Sequence, residues 1–159
     1  AQYVFYNRNV CRSTVSMIIN SKNINSIINN VTPLRVSDSF NFEDLFKRPK
    51  DLTYTRNNIG KFHDVVCEDM ATVIGKKCKN AILYPPNGGM GWHTNGSGKR
   101  MYISWSETGN SGMNWYNIEK DKVTIDKDEV GFNIRFFDIP QWHCVWAKCY
   151  RFSIGFDIG

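Results

Sequence analysis

Between Asn80 and Gly159 the chain breaks into short apolar runs, each closed by a turn signal, and few folds can absorb that pattern. The runs lie near 81–84, 90–93, 100–106, 113–118, 122–126, 130–137, 142–146 and 149–157. They are too short for helices, and too closely spaced for helical crossovers between parallel strands. Eight such strands predict a sandwich or barrel, not a βαβ layout. In "RMYISWS", Arg100, Tyr102 and Ser104 share one face while Met101, Ile103 and Trp105 share the other. In "YRFSIGFDI", Arg151, Ser153, Gly155 and Asp157 oppose Phe152, Ile154, Phe156 and Ile158. Each strand thus offers one apolar face to a second layer. Its other face, carrying hydrogen-bonding groups and an arginine, suits the inside of a small barrel that holds a polar ligand.

The first half reads differently. Residues 42–47 make a short helical turn with Phe42, Leu45 and Phe46, and residues 57–78 predict a longer helix capped by Asn57 or Asn58. Phe62, Val66, Met70, Val73 and Ile74 recur there at helical spacing, with His63 as a structural residue. No repeat or low-complexity linker divides the chain. We therefore read 1–159 as a single domain, 1–79 a helical or mixed buttress and 80–159 a β-core. Its 159 residues suffice for a core without staples.

Five cysteines, an odd number with no CxxC pair, read as a reduced, intracellular and cytoplasmic protein better than as a disulfide scaffold. Cys144 and Cys149 read as buried small hydrophobes, and Trp92, Trp142 and Trp146 as packing residues. No apolar run is long enough for a membrane helix, so no membrane partner is expected. The net charge of +5 has basic residues at Lys47, Arg48, Lys50, Arg56 and Lys61, then Lys76, Lys77 and Lys79. It reads first as a solvated face and leaves nucleic acid as an open but unfavoured partner.

Chemistry concentrates in "YPPNGGMGWHTN", Tyr84 to Asn95. On a strand, positions two apart project to one side, so His93 and Asn95 address one point, and His143 must join them from a distant strand. A His-x-[acid]…His set is the facial arrangement of non-haem Fe(II) oxygenases, which keeps coordination positions open. Eight residues after His143 stands Arg151, with Ser153 next on its face. An arginine fork beside a hydroxyl is the chemistry that grips a carboxylate.

From Tyr84 to Gly159 the sequence resembles the Fe(II)- and 2-oxoglutarate-dependent oxygenases, through "YPPNGGMGWHTN", "GNSGMNWYN" and "WHCVWAKCYRFSIGF". The middle segment stands where the prolyl 4-hydroxylase branch has a GGEL-like stretch. "FDIPQWHCVWAKCYRFSIGFDI" is also similar to the aspartyl/asparaginyl β-hydroxylase branch. The resemblance implies an α+β protein, a double-stranded β-helix (jelly-roll, cupin-like) with N-terminal helices packed on its sheet. It implies Fe(II), 2-oxoglutarate and O2 as cofactors, and hydroxylation of an unactivated C–H bond in a peptide side chain or small molecule. Carried over by position, His93, His143 and Asn95 hold the metal. Arg151, with Ser153 and Tyr84, holds the distal carboxylate of 2-oxoglutarate, and Arg100 and Tyr102 lie near the cosubstrate. The nucleic-acid demethylase branch fits less well, because it carries a second arginine after the Arg151 position.

Asn95 departs from the family, which mostly has an acid there. Three readings follow: an enzyme working with two histidines and a weak third ligand, a halogenase-like site with room for chloride, or a degenerate site on a non-catalytic binding protein. Asn95-Gly96 is also deamidation-prone, and peptide mapping that finds only asparagine removes the idea that an aspartate forms there.

Overall fold

Alternation along the strands decides how the chain layers. The computed structural model describes residues 31–53, 59–65 and 78–159, with side chains from residue 81 onward in the last segment. Among the described residues there are ten strands: β1 (Arg35–Val36), β2 (Gly60–Asp64), β3 (Cys78–Tyr84), β4 (Gly88–His93), β5 (Gly98–Ser106), β6 (Ser111–Asn117), β7 (Lys122–Lys127), β8 (Gly131–Ile139), β9 (Trp142–Ala147) and β10 (Arg151–Asp157). All eight strands expected after residue 80 form, within a few residues of their expected limits.

The ladder runs β7-β6-β9-β4-β2-β3-β10-β5-β8 and every described pairing in it is antiparallel. Apart from β1 and β2, this is two four-stranded sheets, β3-β10-β5-β8 and β7-β6-β9-β4, whose crossed connections give the jelly-roll order. β2 bridges them, pairing through Gly60 and Lys61 with β4 and through His63 and Asp64 with β3. The sheet therefore curls into a half-barrel whose open seam lies between β7 and β8.

Three apolar layers follow from the alternation. Met101, Ile103 and Trp105 of β5 join Phe152, Ile154 and Phe156 of β10 on the outside of one sheet. Trp92, Tyr116, Trp142, Cys144 and Trp146 line the outside of the other, covered by a 3-10 turn at Phe42–Phe46. Asn41 caps that turn by accepting from the Glu43 N–H, and Leu45 is its buried anchor. The Leu45 carbonyl accepts from Asn114 Nδ2 and Cys144 Sγ, and Trp92 Nε1 donates to the Lys47 carbonyl. Cys144 and Cys149 are free and buried, as expected. Between the sheets sit Phe62, Ile82, Tyr84, Met113, Val145 and Ala147.

The buttress differs from its expectation. The helix placed over 57–78 is replaced at Gly60–Asp64 by strand β2, and among the described residues there is no α-helix, only the 3-10 turn. Asn57, Asn58 and residues 66–77 lie outside the described residues. Helical spacing lost to tertiary pairing: the gap between β3 and β4 exposes two strand edges, and a strand bridging them satisfies its backbone on both sides. Phe62 then points into the core beside Tyr84, with ring centroids 6.2 Å apart. His63 is structural, its Nδ1 donating to the Thr32 carbonyl at 2.8 Å.

Candidate metal centre and its charged neighbour

β4 and β9 are neighbours, and the bulge between Met90 and His93 leaves His93 directly opposite His143. Their rings lie 4.2 Å apart, centroid to centroid. His93 Nδ1 meets the Gly91 carbonyl at 2.7 Å, and His143 Nδ1 meets the Gln141 carbonyl at 2.6 Å. A carbonyl only accepts, so both Nδ1 atoms carry the proton and both Nε2 atoms keep a lone pair. His143 Nε2 is buried and has no hydrogen-bond partner among the described residues. Burial pulls the pKa of both rings down, against the carbonyl contacts that raise it, and for His143 the neighbouring His93 adds to the fall. Two neutral imidazoles, each oriented by a backbone carbonyl, are what a first-row metal ion needs from its histidine ligands.

The glycines before His93 serve packing. A Cβ on Gly88 would meet the Lys61 carbonyl oxygen at 2.6 Å and the Pro85 carbonyl oxygen at 2.7 Å. After His93 the chain leaves one sheet for the other through a left-handed corner, with φ of 52° at Asn95 and 30° at Gly96. Asparagine and aspartate both tolerate that backbone, so the corner explains the residue class at 95 and not the choice of amide. The Asn95 side chain acts on the Tyr102 hydroxyl, whose pKa burial raises and Arg100, Arg151 and Asn95 pull back. Tyr102, Trp115 and Phe137 surround His143, with ring centroids 6.4, 5.8 and 5.4 Å away. They make a half-buried aromatic wall.

Trp115 and Phe137 also line a cavity of about 670 Å³ at the seam, together with Tyr116, Thr124, Asp126, Arg135 and Gln141. A molecule held there would lie against the His143 wall.

Arg151 lies deeper and is fully buried. Its Nε donates to Asp128 Oδ2 at 2.7 Å and its Nη2 to Ser104 Oγ at 3.0 Å. Ser104 Oγ reaches Ser153 Oγ at 3.3 Å, and Tyr84 stands opposite Arg151 with its ring 6.0 Å from the guanidinium carbon. Arg151, Ser153 and Tyr84 are therefore brought together, with Tyr102 between them and the histidines. Arg100 is committed to Asp157 at 3.0 Å. Asp128 was not visible as a site residue from the sequence. Its other oxygen takes Arg135 Nη1 at 2.7 Å, and Arg135 Nε takes Asp126 at 2.8 Å. The only hint is "IDKD", two acids two positions apart on an edge strand and the turn after it, with Arg135 following.

Metal and cosubstrate fare differently in this geometry. Among the described residues no group of three His, Cys, Asp or Glu is placed for a metal. The two histidines nevertheless present the right atoms, and Asn95 stands two residues from His93 with a neutral carbonyl to add. The distal carboxylate of 2-oxoglutarate does not find a free arginine at Arg151. That guanidinium already faces a carboxylate, and among the described residues its Nη1 lacks a partner.

No protein-family model matches the chain, and no curated protein matches it. Among solved structures it is similar to an oxalate decarboxylase variant from Bacillus subtilis, at 18% identity and TM-score 0.40, covering 76% of this chain and 29% of that one. It is also similar to Drosophila melanogaster CENP-C bound to CAL1, at 6% identity and TM-score 0.43, covering 95% of this chain and 98% of that one. A third is the hydroxypropylphosphonic acid epoxidase of S. wedmorenis, at 13% identity and TM-score 0.40, covering 79% and 62%. The jelly-roll assignment rests on the strand order, and the chemistry on the site's own residues.

Proposed function

We propose that the protein is an Fe(II)-dependent oxygenase of the 2-oxoglutarate class, hydroxylating an unactivated C–H bond, in a prolyl or aspartyl/asparaginyl side chain. The observation that carries the reading is the facing pair His93 and His143, each tied through Nδ1 to a carbonyl, with His143 Nε2 buried and unpartnered. Iron bound there supplies redox chemistry toward O2 that no side chain offers. The chain's own contribution is to keep both imidazoles neutral and aimed. Tyr102, Trp115 and Phe137 pack their rings around His143, and the seam cavity beside them receives the substrate. Asn95 adds no charge, so metal held there keeps its full positive charge, and affinity is lower than with a carboxylate.

The reading is tested by anaerobic titration with Fe(II) and then 2-oxoglutarate, following the visible charge-transfer absorption, with His93→Ala as control. Absorption that grows to saturation in the natural chain and is lost in the variant is the expected result. Failure to bind Fe(II) at all ends the enzyme reading. It would leave the second one, a non-catalytic jelly-roll binding protein with a degenerate site, which the neutral Asn95 and the occupied Arg151 favour.

A further inference from the structure

Asp128 sits in the turn between β7 and β8, yet its side chain is fully buried, and so is that of its partner Arg151. Three donors converge on this one carboxylate: Arg151 Nε, Arg135 Nη1 and Ser111 Oγ, each at 2.7 Å. With Asp126 on the far side of Arg135, two acids face two arginines, and the cluster is neutral. Arg151 spends Nε on Asp128 and Nη2 on Ser104, and its buried Nη1 has no partner among the described residues. A buried N–H left unpaired costs free energy, and its natural complement is an acceptor. A second carboxylate would bring a negative charge into a cluster that has none to balance it, whereas a neutral acceptor would bring none.

We propose that Asp128 is a specificity-determining residue, an intramolecular carboxylate that competes for Arg151 and turns the interior against dicarboxylates. The ligand end that Arg151 accepts is then neutral, a carbonyl, amide or hydroxyl oxygen placed on Nη1. The proposal rests on the oxygenase reading only for what lies at the other end of that ligand; the competition at Arg151 is independent of metal. Under that reading, Asp128 makes 2-oxoglutarate a weak cosubstrate, held by its metal-facing end more than by its distal carboxylate. The resemblance assigned that hold to Arg151, and the geometry of this chain does not support it as a free charge partner.

Glutarate separates the two questions, because it has both carboxylates and lacks the chelating oxo group. The full chain, labelled with nitrogen-15 and free of metal, is titrated with glutarate while the Arg151 Nε–H resonance is followed. In the natural chain it is expected not to move in a saturable way. In Asp128→Asn it is expected to shift and saturate, with glutarate bound about tenfold or more tightly than in the natural chain. A saturable shift in the natural chain that disappears in Arg151→Gln overturns the proposal, and so does a folded Asp128→Asn chain that ignores glutarate. If Asp128→Asn does not fold, the natural-chain titration decides alone. The outcome is separate from the Fe(II) titration: lost metal binding removes the oxygenase reading and leaves the Asp128 result standing.

Discussion

Two buried polar groups lie inside the same half-barrel and end in opposite states. At the histidine end, β4 and β9 bring two tilted imidazoles side by side and leave one lone pair with no partner among the described residues. At the seam, Asp128 collects three donors and Arg151 keeps one nitrogen, Nη1, without a partner among the described residues. The first cluster leaves its acceptor unused among the described residues, and the second spends nearly all of its polar atoms within the chain. Burial alone therefore does not mark a binding site. An unspent atom is the better pointer, and the described residues hold one at each end, His143 Nε2 and Arg151 Nη1.

The largest effect that would break this contrast is on stability. Asp128→Ala leaves Arg151 and Arg135 buried without their carboxylate, and about 3–5 kcal/mol of unfolding free energy is expected to go, as for other broken buried pairs. Urea unfolding measures it. A loss under about 1 kcal/mol would mean that the seam is solvated and not the structural half of the pair. Acid probes the same carboxyl. Burial pushes its pKa up, but Arg151 and Arg135 pull it further down, to about 2 from 3.8. A depressed carboxyl contributes stability above its unfolded pKa and loses it as pH falls through the folded one. Roughly 2 kcal/mol is thus expected to disappear between about pH 4 and pH 2, and Asp128→Asn should lack that step.

A different readout should dominate at the histidine end. His143→Ala is expected to weaken binding of Co(II), used as an Fe(II) stand-in, by about 100-fold or more. The unfolding midpoint of the metal-free chain should move less than in Asp128→Ala. Isothermal titration and urea unfolding on the same samples compare the two. A variant that keeps its Co(II) affinity would make the histidines structural, and the contrast would collapse.

Asn95→Asp is the gentlest change and sharpens the comparison most. The left-handed backbone at 95 suits aspartate, so stability is expected to stay within about 0.5 kcal/mol. Metal affinity should rise about tenfold, because a carboxylate supplies the charge that the amide lacks. No gain would place residue 95 outside the coordination sphere, as a corner residue only.

Much of this was legible along the chain. The β-half announced itself because strand alternation and turn residues are local properties, visible within seven or eight residues. The facing of His93 and His143 was legible through the resemblance, which carries a known strand order with it. The helix read over 57–78 failed at Gly60–Asp64, because what decides that segment is the pair of strand edges beside it. The use of Arg151 was half legible: its inward face followed from alternation, and its partner did not. Asp128 stands 23 residues before it, in a turn that a sequence reading expects to be exposed.

By itself, then, the sequence determined the antiparallel strands, the faces they bury and the residue types that point inward, since each depends on neighbours in the chain. Only the tertiary structure decided which inward groups remain free for a ligand. Side chains meeting across the seam joined β7, β8 and β10, and that meeting of distant segments gave Arg151 its own carboxylate, while His143 Nε2 found no partner among the described residues.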